Sequence, residues 1–198
     1  ENPTVTYDNI GVFNVTLTVG NDFGNNTQTL NGYIEVSNNG FEIILNDDFS
    51  DGLLNWNVTN PDNSTTWETI SVPGSSGGSD AVWINNFDYN NGVGDLDGLE
   101  SEILDFSGRE NITFELEYAF ARYNSNNSDI FRIEVSTNGG ATFPFTVFTG
   151  QENGSGNFAT VPDQTSAFEP GSASSWCVAT TYGPGCISID LSEFSGEE

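Results

Sequence analysis

Apolar and polar residues alternate along several short stretches of this chain, at the two-residue period of a half-buried β-strand. The alternation is longest over residues 112–122. Similar stretches or short apolar runs occupy residues 13–19, 33–36, 41–45, 81–84, 131–135, 145–148 and 187–191. Turn-forming Gly, Asn, Ser and Pro residues separate them, and no helical period is sustained. The pattern predicts an all-β chain whose antiparallel strands form a sandwich.

A short polar linker, residues 38–40, separates the predicted strands into two groups. Residues 1–37 provide two or three strands, which are too few to bury a sandwich core alone. Residues 41–198 provide the others, together with a long stretch rich in Gly, Ser and Pro, residues 150–186. We therefore expect two domains, the first of them incomplete.

The first group resembles the second half of a PKD domain. The matching segments are PTVTY at 3–7 and GVFNVTLTV at 11–19, followed by Asn21 and Gly24. The resemblance implies an immunoglobulin-like β-sandwich that serves as a spacer in secreted proteins. The family's first half has no counterpart here, which implies that the chain begins inside a domain of a longer polypeptide.

The second group resembles the jelly-roll domains classed with MAM, cleaved-adhesin and choice-of-anchor J domains. The matching segments are DFSDG at 48–52 with Trp56, NPD at 60–62 with WE at 67–68, AVWINN at 81–86, DGLES at 97–101, VSTNGGAT at 135–142 and IDLS at 189–192. The resemblance implies an antiparallel jelly-roll β-sandwich. The family continues past IDLS with one or two closing strands. Their absence implies an open edge at which strand pairing with another chain is possible.

The charge balance narrows the range of partners. The chain has 29 acidic residues against three basic ones, no His, and a net charge of −26. A surface with this much negative charge repels nucleic acids and anionic membranes, and we therefore expect neither nucleic acid binding nor membrane insertion. The same charge attracts divalent cations. Without His, neither a His general base nor an HExxH zinc site can be built from these residues.

An oxygen-rich stretch, residues 85–102, is the candidate cation site. It carries four carboxylates before Ser101, several Asn amides and no basic residue, which suits Ca²⁺ as well as it suits a solvated acidic loop. The jelly-roll resemblance implies a structural Ca²⁺ between the first strand and this loop. The ligands that it implies are Asp47, Asp48, Asp51, Asn86, Asp95 and Asp97.

Cys177 and Cys186 are the two cysteines, and they flank a segment containing Gly-Pro-Gly. They could form a disulfide that stabilises the fold by about 2–3 kcal/mol, or remain two free thiols. The export-like composition favours the disulfide and a secreted or cell-surface location.

Catalytic machinery is not evident in the sequence. Glu115 and Glu117 share one face of a predicted strand about 7 Å apart, near the spacing of an inverting glycosidase pair. Alternating Glu residues on an exposed face are ordinary in so acidic a chain, and we assign no catalytic residue. Among the aromatic residues, Tyr89 and Trp176 lie in predicted loops and are weak candidates for a sugar-binding platform, although packing is the favoured interpretation of each.

The order of the two groups of strands, PKD-like and then jelly-roll-like, suggests a function. It is similar to the C-terminal regions of secreted pappalysin-like (cytophagalysin) metallopeptidases of bacteria with type IX secretion. We expect a non-catalytic accessory or adhesion region that binds a polysaccharide, a cell-surface glycan or a protein. The alternatives are an accessory region of a zinc metallopeptidase whose catalytic domain lies upstream, and a structural stalk without a ligand.

Overall fold

The chain folds into short β-strands joined by turns and irregular loops. A computed structural model describes residues 11–36, 42–74, 80–89, 96–127 and 129–197, with the backbone alone at 35 and 36. These residues contain ten strands, two three-residue 3-10 turns and no α-helix. All five strand pairs are antiparallel. The predicted all-β, antiparallel fold class is confirmed.

Two units make up the chain, Glu1–Ile43 and Ile44–Glu198. The first contains β1 (Gly11–Asn21) and β2 (Gly24–Val36), which form one long hairpin. The second strand begins at Gly24 rather than near residue 33, because Thr27 and Thr29 extend the ladder through hydrogen bonds between cross-strand threonine hydroxyls. The predicted linker, residues 38–40, lies outside the described residues.

The hairpin has one apolar face and one threonine face. Directly opposite residues of paired strands share a face, so Val15 and Leu30 lie on the same side as Leu17 and Val19. Three of these side chains are largely open to solvent, with exposures of 65% for Leu17, 57% for Val19 and 42% for Leu30. The hairpin is therefore regular in its hydrogen bonding but poorly covered on its apolar face.

The second unit contains eight strands in four antiparallel pairs. They are β3 (Trp56–Thr59) with β6 (Gly98–Ser101), β4 (Glu68–Ser71) with β5 (Asp80–Trp83), β7 (Thr113–Leu116) with β10 (Ile187–Asp190), and β8 (Ile130–Val135) with β9 (Phe145–Gln151). The predicted turn in the β8–β9 connection is present, because Gly139 and Gly140 adopt positive φ angles of 68° and 79° that favour glycine.

The predicted strand at 112–122 changes its partner midway. Its first part, β7, pairs with β10, but the following backbone carbonyls accept hydrogen bonds from irregular segments. Tyr118 O accepts from the Cys177 N–H, and Phe120 O accepts from the Thr160 N–H, both at 2.9 Å. The alternating pattern therefore predicted the extended backbone correctly, while the partners come from the irregular stretch at 150–186, which we call the excursion.

Two apolar clusters and one aromatic group fill the interior of the second unit. Phe106, Ile112, Leu191 and Phe194 form the first cluster, and Val72, Ala81 and Trp176 form the second. The aromatic group centres on Phe158 of the excursion, which is 4% exposed. Its ring lies 5.0–6.2 Å from the rings of Tyr118, Phe120, Phe131 and Phe148. Phe158 thus connects the β8–β9 hairpin to the continuation of β7.

Candidate functional site

The turn at residues 47–51 uses its carboxylates to shape its own backbone. Asp47 accepts the Phe49 N–H at 2.7 Å with one oxygen and the Trp56 indole N–H at 2.8 Å with the other. Asp48 accepts the Ser50 N–H at 3.1 Å, and hydrogen bonds from the Ser50 side chain and backbone lower the pKa of Asp48. Asp51 is exposed. Two predicted calcium ligands are therefore already engaged as turn acceptors.

The turn around Asn86 brings the start of the acidic stretch toward residue 62. Asn86 is exposed, and its backbone carbonyl accepts the Tyr89 N–H at 3.4 Å. The Tyr89 hydroxyl donates to Asp62 Oδ2 at 2.8 Å, so this half-buried ring is fixed by a polar contact at its tip. Asp95, another predicted ligand, lies outside the described residues.

Three buried oxygen atoms near the end of the β3–β6 pair have no hydrogen-bond partner among the described residues. They are Asn60 Oδ1, Thr66 Oγ1 and Asp97 Oδ1, and we call them the acceptor cluster. The β3–β6 register ends with Thr59 opposite Gly98, so Asn60 and Asp97 are the next residues on the two strands. Thr66 precedes Trp67, whose indole N–H donates to the Asp97 backbone carbonyl at 3.0 Å. The strand register therefore places Asn60 beside Asp97, and the Trp67 contact brings the backbone next to Thr66 to the same end of the strand pair.

The acceptor cluster fits a hard cation in its chemistry. A buried acceptor without a donor costs about 1–3 kcal/mol, and Ca²⁺ is bound by carboxylate, amide and other oxygens of this kind. Of the predicted ligands, Asp97 belongs to the cluster, while Asn60 and Thr66 were not predicted as ligands. Within the described ranges, no three His, Cys, Asp or Glu side chains come together as a metal-binding group. The calcium site therefore remains a prediction, in which Asp97 is accompanied by Asn60 and Thr66 rather than by the other predicted ligands.

The predicted disulfide between Cys177 and Cys186 is confirmed. Cys177 is 4% exposed and is tied to the continuation of β7, because its backbone N–H donates to Tyr118 O. The disulfide closes a loop in the excursion and holds that loop beside the start of β10. It is compatible with an oxidising, extracytoplasmic environment.

Glu152 is the most constrained ionisable residue of the excursion, and sequence reasoning missed it. Its side chain is fully buried, and its two carboxylate oxygens accept four backbone N–H groups. The donors are Gly154 at 2.6 Å, Gly156 and Phe158 at 2.9 Å, and Ala159 at 2.8 Å. Burial alone would raise the pKa of Glu152, but these four donors outweigh it and lower the pKa to about 2. A glutamate followed by closely spaced glycines was the only signal in the sequence.

An ion pair also holds the excursion to the continuation of β7. The Arg122 guanidinium is 8% exposed and donates two hydrogen bonds to the Asp163 carboxylate, at 2.8 and 3.0 Å. Hydrogen bonding to Asp163 raises the pKa of Arg122 above its usual range. This forked pairing suits arginine and would not be reproduced by lysine.

A cleft of about 590 Å³ lies between β9 and the segment that enters β10. We call it the β9–β10 cleft. Its lining includes Tyr118, Phe148, Thr149, Gln151, Asn153 and Ser188. No charged side chain of the described residues lines it, although the chain as a whole carries a net charge of −26.

The two aromatic residues predicted as weak ligand platforms, Trp176 and Tyr89, differ in their burial. Trp176 is 8% exposed, and its indole N–H donates to Pro73 O at 2.8 Å. The Trp176 ring packs against Val72 and Ala81, which leaves little of it accessible for stacking, and its role as a platform stays a prediction. Tyr89 remains half-buried with its hydroxyl bonded to Asp62. Glu115 and Glu117 are exposed along the β7 segment.

Comparisons with protein-family models, with curated proteins and with solved structures gave no match. No helix within the described ranges has the length and apolar character needed to cross a membrane.

Proposed function

We propose that this chain is a non-catalytic accessory or adhesion region of a secreted, multi-domain bacterial protein. Its first unit is a PKD-like spacer and its second a calcium-stabilised jelly-roll module. The second unit binds a polysaccharide, a cell-surface glycan or a protein. The sequence resemblances, the all-β fold and the disulfide support this proposal.

The acceptor cluster is the observation that carries the calcium-stabilised module. Asn60, Thr66 and Asp97 each bury an oxygen without a donor, at one end of the β3–β6 pair. Ca²⁺ takes oxygen ligands of all three kinds, and an ion bound by Asp97 and Asn60 would tie the residue before β6 to the residue after β3. Six to eight oxygens complete a calcium site, and backbone carbonyls can supply the remainder.

Thermal unfolding with Ca²⁺ and with EGTA tests the proposal. At a hundredfold excess over Kd, a cation that binds only the folded chain adds about 2.7 kcal/mol, or about 5–10 °C in Tm for a unit of this size. We expect Ca²⁺ to raise Tm by this amount and Asp97→Asn to reduce the shift strongly.

Asp22→Asn is the control, because Asp22 is exposed and is not among the predicted calcium ligands. It should keep the full calcium shift. An equal Tm in Ca²⁺ and EGTA would contradict the calcium-stabilised module, and an unreduced shift in Asp97→Asn would place the ion elsewhere. Pull-down of the chain by insoluble polysaccharides then separates a binding module from a stalk without a ligand.

A further inference from the structure

We propose that the β9–β10 cleft is a binding site for a neutral polysaccharide. This inference rests on the proposed function, for which it names the ligand class and the site. The cleft volume of about 590 Å³ lies within the range of about 300–1,000 Å³ that small-ligand sites occupy. It is therefore large enough to accept part of a sugar chain.

The lining of the cleft favours an uncharged, hydroxyl-rich ligand. Thr149, Gln151 and Ser188 line it with side chains that make no hydrogen bond to the described part of the chain. The half-buried rings of Tyr118 and Phe148 add apolar surface beside them. Sugars combine hydroxyl groups with apolar C–H faces, so such a mixture suits them. The negative field of the whole chain disfavours acidic polymers, while the described lining offers a cation no carboxylate.

The walls of the cleft are fixed before any ligand arrives. The Glu152 carboxylate holds the loop after β9 through four backbone N–H groups, and the disulfide restrains the segment before β10. Gly150 lies directly under the Phe158 ring, where an added Cβ would come within 2.4 Å of it. Rigid walls reduce the ordering cost of binding, which is how preorganised sites gain affinity.

An extended segment of another chain is the competing occupant, since an exposed strand edge can accept one. Among the described strands, β9 pairs with β8 alone and β10 with β7 alone. However, β10 has four residues, and Pro184 at the cleft has no N–H to donate. The β10 edge therefore offers few ladder hydrogen bonds. At the longer β9 edge, the side-chain hydroxyl and amide groups of Thr149 and Gln151 favour the saccharide.

Thr149→Trp and Thr146→Trp form a matched pair for the test. Both threonines are exposed residues of β9, but Thr149 lines the cleft and Thr146 does not. Affinity electrophoresis would use soluble mannan, arabinoxylan and mixed-linkage β-glucan as neutral probes. Alginate would serve as the acidic probe, and a library of extended decapeptides would test strand pairing. Circular dichroism and Tm would show that both variants remain folded.

We expect the wild-type chain to bind at least one neutral polysaccharide and not alginate. Thr149→Trp should weaken that binding by about tenfold or more, which corresponds to about 1.4 kcal/mol, and Thr146→Trp should change it by less than about twofold. Equal binding by both variants would overturn the cleft as the site while leaving a binding module in place. Binding of alginate or decapeptides alone would overturn the ligand class. Absence of all binding would overturn both this inference and the binding part of the proposed function, whereas the calcium part depends on Tm alone.

Discussion

The β1–β2 hairpin and the excursion at 150–186 have opposite properties. The hairpin is almost entirely paired in a ladder, yet Leu17 on its apolar face is 65% exposed. The excursion contains little regular structure, yet Phe158, Ala159 and Thr160 are 4%, 1% and 1% exposed. Regular hydrogen bonding and tertiary fixation are therefore separate properties, and the irregular region has more of the second. Substitutions in the two regions test this contrast.

Phe158→Ala should cause the largest loss of stability. The ring is 4% exposed and contacts four other aromatic rings, so its removal leaves a cavity between β7 and the β8–β9 hairpin. We expect a loss of about 3–5 kcal/mol, measured by denaturant unfolding. Phe143→Ala is the control, because Phe143 is 36% exposed and should cost much less. Equal losses in the two variants would show that the excursion is not packed as described.

Glu152→Gln should destabilise the chain and change its response to acid. The amide keeps one acceptor oxygen, but its NH₂ group faces backbone donors, so we expect a loss of about 2–3 kcal/mol at pH 7. Because the folded pKa of about 2 lies below the unfolded value, the ionised carboxylate stabilises the fold above the unfolded pKa. That contribution is lost as pH falls from about 4.5 toward 2.

Unfolding free energies at pH 7, 4 and 2.5 would test the acid response of Glu152. The difference between wild type and Glu152→Gln should shrink as the pH falls, while Glu115→Gln, an exposed control, should stay close to wild type throughout. A difference that stays constant with pH would argue against the four-donor arrangement.

Removal of the disulfide should have an intermediate effect. Nine positions separate Cys177 from Cys186, so the Cys177→Ser/Cys186→Ser variant should lose about 2–3 kcal/mol through the greater freedom of its unfolded chain. A reductant should lower the Tm of wild type toward that of the variant and leave the variant itself unchanged. A Tm that reductant does not affect would mean that the bond contributes little to the stability of the excursion.

Leu17→Ala should have the smallest effect. The side chain is largely solvent-exposed although it lies within the most regular ladder of the chain, and we expect a change of less than about 0.5 kcal/mol. Leu191→Ala is the matched control, because Leu191 is 7% exposed in the first apolar cluster and should lose about 2–5 kcal/mol. A comparable loss at Leu17 would mean that another surface covers the apolar face in solution.

Local patterns predicted the regular elements and less of the candidate site. The alternation at 131–135 and the glycine turn after it correspond to β8 and its connection to β9, and the two closely spaced cysteines form the disulfide. The acidic stretch drew attention to Asp97, but not to Asn60 or Thr66, which precede Asp97 by more than thirty positions. Their unpartnered oxygens become evident only once the β3–β6 register is known.

Patterns of neighbouring residues were enough to predict the fold class, the extended backbone of the strands and the disulfide, because alternation and close cysteine spacing are local properties of the chain. Tertiary structure alone decided that the continuation of β7 bonds to the excursion after β7 itself has paired with β10. It likewise decided that Glu152 is buried among four backbone donors and that Trp176 packs in the interior. It also decided that the β9–β10 cleft carries no charged side chain of the described residues. Each of these features depends on contacts between distant segments, whose burial and hydrogen bonding are fixed only when the chain closes on itself.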